Sequence, residues 1–280
     1  KRLIISPDGA LNLVPFGALM SPRGRYLIRE KAITYVTSGR DLLRPADSSK
    51  SGKTTIFADP AFENIDETAK STLRGKRSVD FASMRWSPLP ATAKEASTLE
   101  KVLGDAVVFR GMDANEERMK ELRGPKVLHV ATHGFFLPPR RHVSKRGDGW
   151  NQDQDRSVID ENPLLRSGLI LAGPGKRTNA EDGVLTALEA SSLDLNGTKL
   201  VVLSACDTGV GDVRQGEGVH GLRRALVVAG AQSLFMSLWK VDDEATRYLM
   251  EGTYRKMAQG LSPSTALRQM KLMMRHSERY

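Results

Sequence analysis

Short apolar runs rich in β-branched residues recur along the chain, and several of them do not alternate strictly with polar residues. Runs of this kind are typical of central strands that are covered on both faces. They occupy 3–6, 32–36, 54–58, 106–110, 126–131, 169–173, 200–205 and 233–239. Helix signals lie between them. The alternation therefore predicts an α/β fold, with a mostly parallel central sheet flanked by helices in three layers.

The predicted helices begin at residues that commonly cap a helix. Two Thr and Glu pairs three residues apart predict capping boxes. Single aspartates can cap two more helices, and a Ser-Pro pair opens the last. The candidates are Thr92 with Glu95, Asp113, Thr186 with Glu189, Asp242 or Asp243, and Ser262-Pro263.

Two of the apolar runs end in residues that can carry out chemistry. His133 follows the run at 126–131 and precedes Gly134, while Cys206 follows the run at 200–205. Cys206 is the only cysteine in the chain. Because the carboxyl ends of parallel strands meet at one edge of a sheet, we expect this pair to form a thiol nucleophile beside its base. The backbone N–H groups of Gly134 and Cys206 could together form an oxyanion hole.

Bulk composition limits the class of protein. No apolar stretch reaches the ~20 residues of a membrane span, and no signal peptide is visible, so we expect a cytoplasmic protein that does not bind a membrane. One cysteine excludes an internal disulfide framework. The net charge of +9 raises the alternative of nucleic-acid binding. Because no stacking aromatics and no nucleic-acid motif accompany the charges, we expect none to be bound directly. No metal site and no cofactor are predicted, since His129 beside His133 lacks a third ligand.

Several longer segments resemble CHAT domains, the caspase-like domains associated with tetratricopeptide repeats. The matching segments are LPATAKEASTL (89–99), THG (132–134), SACDTG (204–209), GEGVHGLRRALVVAGA (216–231) and SLWKVDD (237–243). The resemblance extends across the chain and implies a caspase-like fold, in the clan that includes metacaspases and separase.

The resemblance implies a cysteine endopeptidase. His133 occupies the position of the catalytic histidine and Cys206 that of the nucleophile, and Gly134 would be an oxyanion donor. Cleavage would pass through a thioester acyl-enzyme without a third acidic residue. Two alternatives remain. The chain could be a catalytically silent CHAT-fold interaction module, or a nucleic-acid binding domain, which only the net charge supports.

The resemblance also implies residues that contact the substrate. In this clan the position two before the nucleophile faces the S1 pocket, and here it is Ser204. The segment after Trp239 resembles a separase stretch that also reaches S1, so Asp242 or Asp243 could supply a negative charge there. Both aspartates could equally serve only as helix caps. In either case we expect cleavage not to follow Asp.

The domain organisation is predicted as one CHAT peptidase domain over 1–280. Because residue 1 is lysine, we expect it to be the C-terminal part of a longer chain. Residues 137–163 show little periodicity and predict a long loop near the active site. The expected partners are a protein substrate and a regulatory partner or N-terminal repeat domain, with low activity in their absence.

Overall fold

The computed structural model describes residues 1–43, 52–62, 86–136, 141–143, 158–160, 162–173, 181–204, 206–207, 217–237 and 241–277. Trp239 lies outside these residues, as does most of the predicted loop 137–163.

The described residues form thirteen strands and seven α-helices, with short 3₁₀ turns between some of them. The strands are β1 (Arg2–Ile5), β2 (Ala32–Tyr35), β3 (Thr55–Pro60), β4 (Val107–Gly111), β5 (Val127–Ala131), β6 (His133–Phe136), β7 (Arg141–Val143), β8 (Val158–Asp160), β9 (Ser167–Ile170), β10 (Val184–Thr186), β11 (Leu200–Leu203), β12 (Cys206–Asp207) and β13 (Leu234–Met236). The helices are α1 (Leu27–Glu30), α2 (Pro90–Leu103), α3 (Glu116–Lys120), α4 (Ala187–Ala190), α5 (Glu217–Val228), α6 (Asp243–Ala258) and α7 (Pro263–Arg275).

The central sheet has five strands in the order β13-β11-β5-β3-β4, and every neighbouring pair is parallel. Helices cover both of its faces. The predicted caspase-like α/β arrangement is therefore confirmed. A second sheet of order β10-β9-β6-β12 continues from its carboxyl edge and includes antiparallel pairs.

Alternating residues of the central strands face opposite helical layers. In β11, Leu200 and Val202 pack into the core under α2 and α6, while Val201 and Leu203 pack into the core under α4 and α5. Because both faces are buried, each strand is apolar throughout its length. This is why the runs in the sequence lack strict alternation.

Three of the predicted helix starts are confirmed. Thr186 and Glu189 form a capping box at α4. The Asp242 carboxylate accepts a hydrogen bond from the Ala245 N–H and caps α6. Ser262 precedes Pro263 at the first position of α7.

The other two starts are wrong. Helix α2 begins at Pro90, with Leu89 as its N-cap, so Glu95 lies too far along the helix to close a capping box with Thr92. The Thr92 hydroxyl instead donates to the Leu89 carbonyl. Helix α3 is capped by Asn115, whose side chain accepts from the Arg118 N–H, and not by Asp113.

Part of the predicted loop 137–163 forms β-strands. β7 and β8 pair antiparallel, with His142 in register with Ile159. The sequence pattern did not predict this pairing, because two strands of three residues carry too few positions to show a period.

The N-terminal segment is tied to the last helix. β1 and β2 form a small parallel sheet of their own, and α1 lies between them in the chain. The Arg268 guanidinium on α7 donates to the Ile28 and Arg29 carbonyls at 2.8 and 2.9 Å. Arg275 lies 4.2 Å from the centre of the Tyr26 ring. These contacts hold residues 1–43 against the helical layer.

Candidate functional site

Two chain segments pass side by side from the central sheet into the second sheet. β5 ends at Ala131 and β6 begins at His133, while the neighbouring β11 ends at Leu203 and β12 begins at Cys206. The carboxyl edge of a parallel sheet is where α/β proteins place their ligand sites. Both candidate residues therefore stand at this edge.

The pairing register between β5 and β11 continues unchanged between β6 and β12. Val130 pairs with Leu203, and three residues further on His133 pairs with Cys206. The separations are equal, since 203 − 130 = 73 and 206 − 133 = 73. Neighbouring strands lie about 4.8 Å apart, so the backbones of His133 and Cys206 are roughly that distance from each other. The structure thus brings together the backbones of the two predicted catalytic residues.

The His133 ring is enclosed by aromatic side chains. Its centre lies 4.9 Å from that of Phe62 and 5.3 Å from that of Trp86, and only 2% of the residue is exposed. Burial lowers the pKa of His133 below its ordinary value of 6.5, because the charged ring loses its hydration. The Ser87 carbonyl and the Asp243 charge oppose this shift.

One hydrogen bond fixes the tautomer of His133. Its Nε2 lies 2.8 Å from the Ser87 carbonyl oxygen, which can only accept, so Nε2 carries the proton. In the neutral ring the lone pair is then on Nδ1, the nitrogen that can take a proton from a thiol. Ser87 was not predicted, since a backbone carbonyl can come from any residue type.

Gly134 is the second residue of β6. It is buried and lies in register with Asp207 on one side and Leu169 on the other. The assignment of an oxyanion hole to the N–H groups of Gly134 and Cys206 stays a prediction.

A cleft opens beside His133, between the beginnings of α2 and α6. Ser204 and Asp243, two of the predicted substrate-binding residues, are among the residues that line it. Asp242 does not line it and instead caps α6. The sequence allowed either aspartate to be a helix cap or to line the substrate site. In the structure Asp242 is the cap and Asp243 lines the cleft.

Glu95 also lines the cleft, and sequence reasoning gave it a different role. It is 3% exposed, and its Oε2 accepts a hydrogen bond of 3.0 Å from the Ser204 hydroxyl. Its Oε1 lies 3.2 Å from His129 Nε2, and His129 Nδ1 lies 3.1 Å from the Tyr254 hydroxyl. Pro90 is the sequence signal that could have prevented the assignment of Glu95 to a capping box, because proline is favoured at the first position of a helix.

A second polar cluster lies away from the cleft, around the Lys120 ammonium. Its Nζ lies 2.8 Å from Glu116, 2.5 Å from Glu181 and 3.5 Å from Glu189. Carboxylate oxygens of these three residues are close enough together to ligate a metal ion, but the ammonium lies among them. Burial raises the pKa of Glu116 to about 7, although Lys120 opposes the shift. We interpret the cluster as a structural ion-pair network.

Within the described part of the chain, no helix is both long and apolar enough to cross a membrane.

Comparison with known proteins places the whole chain in one family. The CHAT domain profile matches residues 1–280. The chain is 27% identical to tetratricopeptide repeat protein 28 from Homo sapiens and 25% identical to the Mus musculus protein of that name, over 95% of its own length in each case. It spans about 11% of the length of these relatives. The chain belongs to the CHAT domain family, whose members are caspase-like.

Proposed function

We propose that this chain is a cysteine endopeptidase that cleaves a protein substrate with Cys206 as nucleophile and His133 as general base. The observation that carries the proposal is the register pairing of the two residues on adjacent strands, at the carboxyl edge of the sheet. The burial of His133 and its bond to Ser87 add support, because they keep the imidazole neutral and oriented.

The reaction begins with transfer of the Cys206 thiol proton to His133 Nδ1. The sulfur attacks the substrate carbonyl carbon, and a C–S bond forms while negative charge moves to the carbonyl oxygen. His133 then gives the proton to the amide nitrogen, the C–N bond breaks, and the amine leaves. Water attacks the resulting thioester while His133 takes a proton from it. The C–S bond then breaks and releases the acid, and His133 returns its proton to the sulfur, which restores the thiol.

Regulation belongs to the same proposal. CHAT domains occur with tetratricopeptide repeats in the relatives. We expect a repeat domain or another partner to activate the site, which predicts low activity of this chain alone. The alternative, a silent interaction module, predicts no bond cleavage under any condition.

Proteolysis tests the proposal. The chain is incubated with a protein extract, with and without a tetratricopeptide repeat partner, and new N-termini are sequenced. We expect N-termini that disappear in Cys206→Ala and in His133→Ala. His276→Ala is the matched control, because it removes an exposed histidine at the end of α7. Identical N-termini from wild type and Cys206→Ala would contradict the proposal.

A further inference from the structure

The hydroxyl groups that line the cleft each donate their proton to another acceptor in the protein. Ser204 donates to Glu95, Thr92 to the Leu89 carbonyl, Thr132 to the Ile170 carbonyl and Thr246 to the Asp242 carbonyl. A hydroxyl has one proton and two lone pairs. What these four residues can still offer a ligand is therefore acceptor capacity.

The cleft also holds two carboxylates, which accept only. Glu95 is buried, while Asp243 is exposed at the first position of α6. No lysine or arginine occurs among the described residues that line the cleft. The N–H on His133 Nε2 is bonded to Ser87. The side chains of the lining thus favour a ligand that is positively charged and rich in donors.

Only one oxygen of the Glu95 carboxylate accepts a hydrogen bond from the described residues. His129 lies beside the other oxygen: its Nε2 is 3.2 Å from Glu95 Oε1, and its Nδ1 is 3.1 Å from the Tyr254 hydroxyl. Burial, and then the Glu95 charge, raises the pKa of Tyr254 well above its ordinary value, which keeps this hydroxyl protonated. Although His129 Nε2 lies near Glu95 Oε1, this oxygen makes no hydrogen bond among the described residues. A buried acceptor therefore remains to be satisfied.

We propose that this cleft is the subsite for a lysine or arginine side chain on the amino side of the cleaved bond, and that Glu95 is its specificity-determining residue. The inference rests on the proposed function. An ammonium or guanidinium group carries donors alone and matches an acceptor-only lining. Ser204 contributes a lone pair as well as holding Glu95 in place.

Paired peptides test the charge requirement. One peptide has arginine before the cleaved bond, and the other has citrulline, which keeps the shape but replaces a charged nitrogen with an acceptor oxygen. We expect kcat/KM to be roughly 100-fold higher for arginine, as is usual when a buried charge loses its partner. In Glu95→Gln we expect this ratio to fall to about 10 or lower, with citrulline cleavage retained.

The control is Asp242→Asn, which removes one negative charge outside the cleft and keeps a good helix cap. It should preserve the arginine to citrulline ratio. A loss of folding in Glu95→Gln would lower both rates together, so the ratio separates a specificity role from a structural one.

Binding provides a readout that does not require cleavage. Benzamidine and its neutral analogue benzamide are titrated into the Cys206→Ala chain, with and without Glu95→Gln, by calorimetry. We expect benzamidine alone to bind, and Glu95→Gln to weaken it by at least about tenfold.

The outcomes separate the inference from the proposed function. Cleavage that requires Cys206 but treats arginine and citrulline alike would overturn the inference and leave the peptidase standing. Benzamidine binding that depends on Glu95, without any peptide cleavage, would support the subsite and count against the peptidase. If neither cleavage nor binding occurs, the inference is overturned as well.

Discussion

The His133 side chain, which we propose as a general base, is almost entirely buried. Phe62 and Trp86 cover the ring, and the Ser87 carbonyl holds one nitrogen. Desolvation penalises the charged imidazolium, and the pKa of His133 is lowered as a result. The ring is therefore a neutral proton acceptor at physiological pH, as general-base catalysis requires.

This shift predicts the acid limit of activity. A base must be deprotonated to act, so kcat/KM should fall only as the pH drops below the lowered pKa of His133, hence below pH 6.5. Trp86→Ala admits water to the ring and should move this limit upward, by up to about one pH unit. The measurement is the pH profile of peptide cleavage. A wild-type limit above pH 6.5, or no upward shift in the variant, would contradict this explanation.

The candidate site could be predicted in part from single residues. His133 and Cys206 each follow an apolar run and precede a glycine or a short polar segment, which is a local signal in the sequence, while Ser204 and Asp243 were candidates through the family resemblance. Glu95 could not be found in this way. Its contacts lie 34 residues away at His129 and 109 residues away at Ser204, and a periodic pattern carries no information about such distant pairs.

At the scale of elements, helix α3 is tied to the segment that leads into β10 and α4. The Glu116 Oε2 accepts hydrogen bonds from the backbone N–H groups of Asp182 and Gly183. Lys120, one turn later, reaches Glu181 and Glu189. The Lys120 ammonium thus contacts three carboxylates, and burial is the largest cause of the raised pKa of Glu116.

The Glu116 cluster predicts a pH-dependent stability. The folded pKa of Glu116 is about 7, against an ordinary value of 4.5, so between these pH values the folded state retains a proton that the unfolded chain has released. The free energy of unfolding contributed by this group therefore falls as the pH rises from 4.5 to about 7. Relative to Glu116→Gln, wild type should lose on the order of 3 kcal/mol between pH 4.5 and pH 8, since the shift from 4.5 to about 7 is about 2.5 pKa units and one unit corresponds to about 1.4 kcal/mol.

Urea unfolding at pH 4.5 and pH 8 measures this difference. Glu117→Gln is the matched control, because Glu117 is exposed one residue further along α3. It should follow the wild-type pH dependence. Parallel profiles for wild type and Glu116→Gln would show that the cluster does not titrate in this range.

The order of the strands and helices was largely predictable from the sequence. The points at which the chain leaves the central sheet and enters the second sheet were not. All five central strands coincide with apolar runs, because burial on both faces leaves a clear compositional signal. The runs at 126–131 and 200–205 gave no sign that the chain leaves the central sheet at Thr132 and Ser204. β6 and β12 follow the apolar runs so closely that no feature of the sequence separates their first residues from the preceding strands.

At the scale of the whole molecule, the sign of the net charge is opposite to the sign of the charge that lines the cleft. The chain carries +9, which raised the alternative of an acidic partner. The cleft beside His133 is nevertheless lined by two carboxylates and by hydroxyl oxygens. Because exposed charges are screened over about 8 Å at physiological ionic strength, the residues in contact with a ligand decide what a cleft binds.

The N-terminal segment is held to the remainder of the molecule by α7, which predicts how it detaches. Arg268→Ala removes two charge-assisted hydrogen bonds to the Ile28 and Arg29 carbonyls, and should lower the free energy of unfolding by about 1–3 kcal/mol. Amide exchange in α1 and β2 should rise, while β5 and β11 remain protected.

Arg255→Ala is the control for Arg268→Ala, because it also removes an arginine from a helix of this layer. Its ion pair with Glu251 is exposed, so its removal should cost less than about 1 kcal/mol. Uniform acceleration of exchange across the chain in Arg268→Ala would contradict the role of this residue as a local tie.

The most direct test of the central claim is the alkylation rate of Cys206 as a function of pH. Because the chain has one cysteine, iodoacetamide reports on that thiol alone. If His133 takes the thiol proton as Cys206 attacks, the wild-type thiol should react at pH 7 at least about tenfold faster than in His133→Ala, where only the small thiolate fraction of a thiol with an ordinary pKa of about 8.5 reacts. Identical profiles in the two proteins, both with a midpoint near pH 8.5, would contradict the dyad.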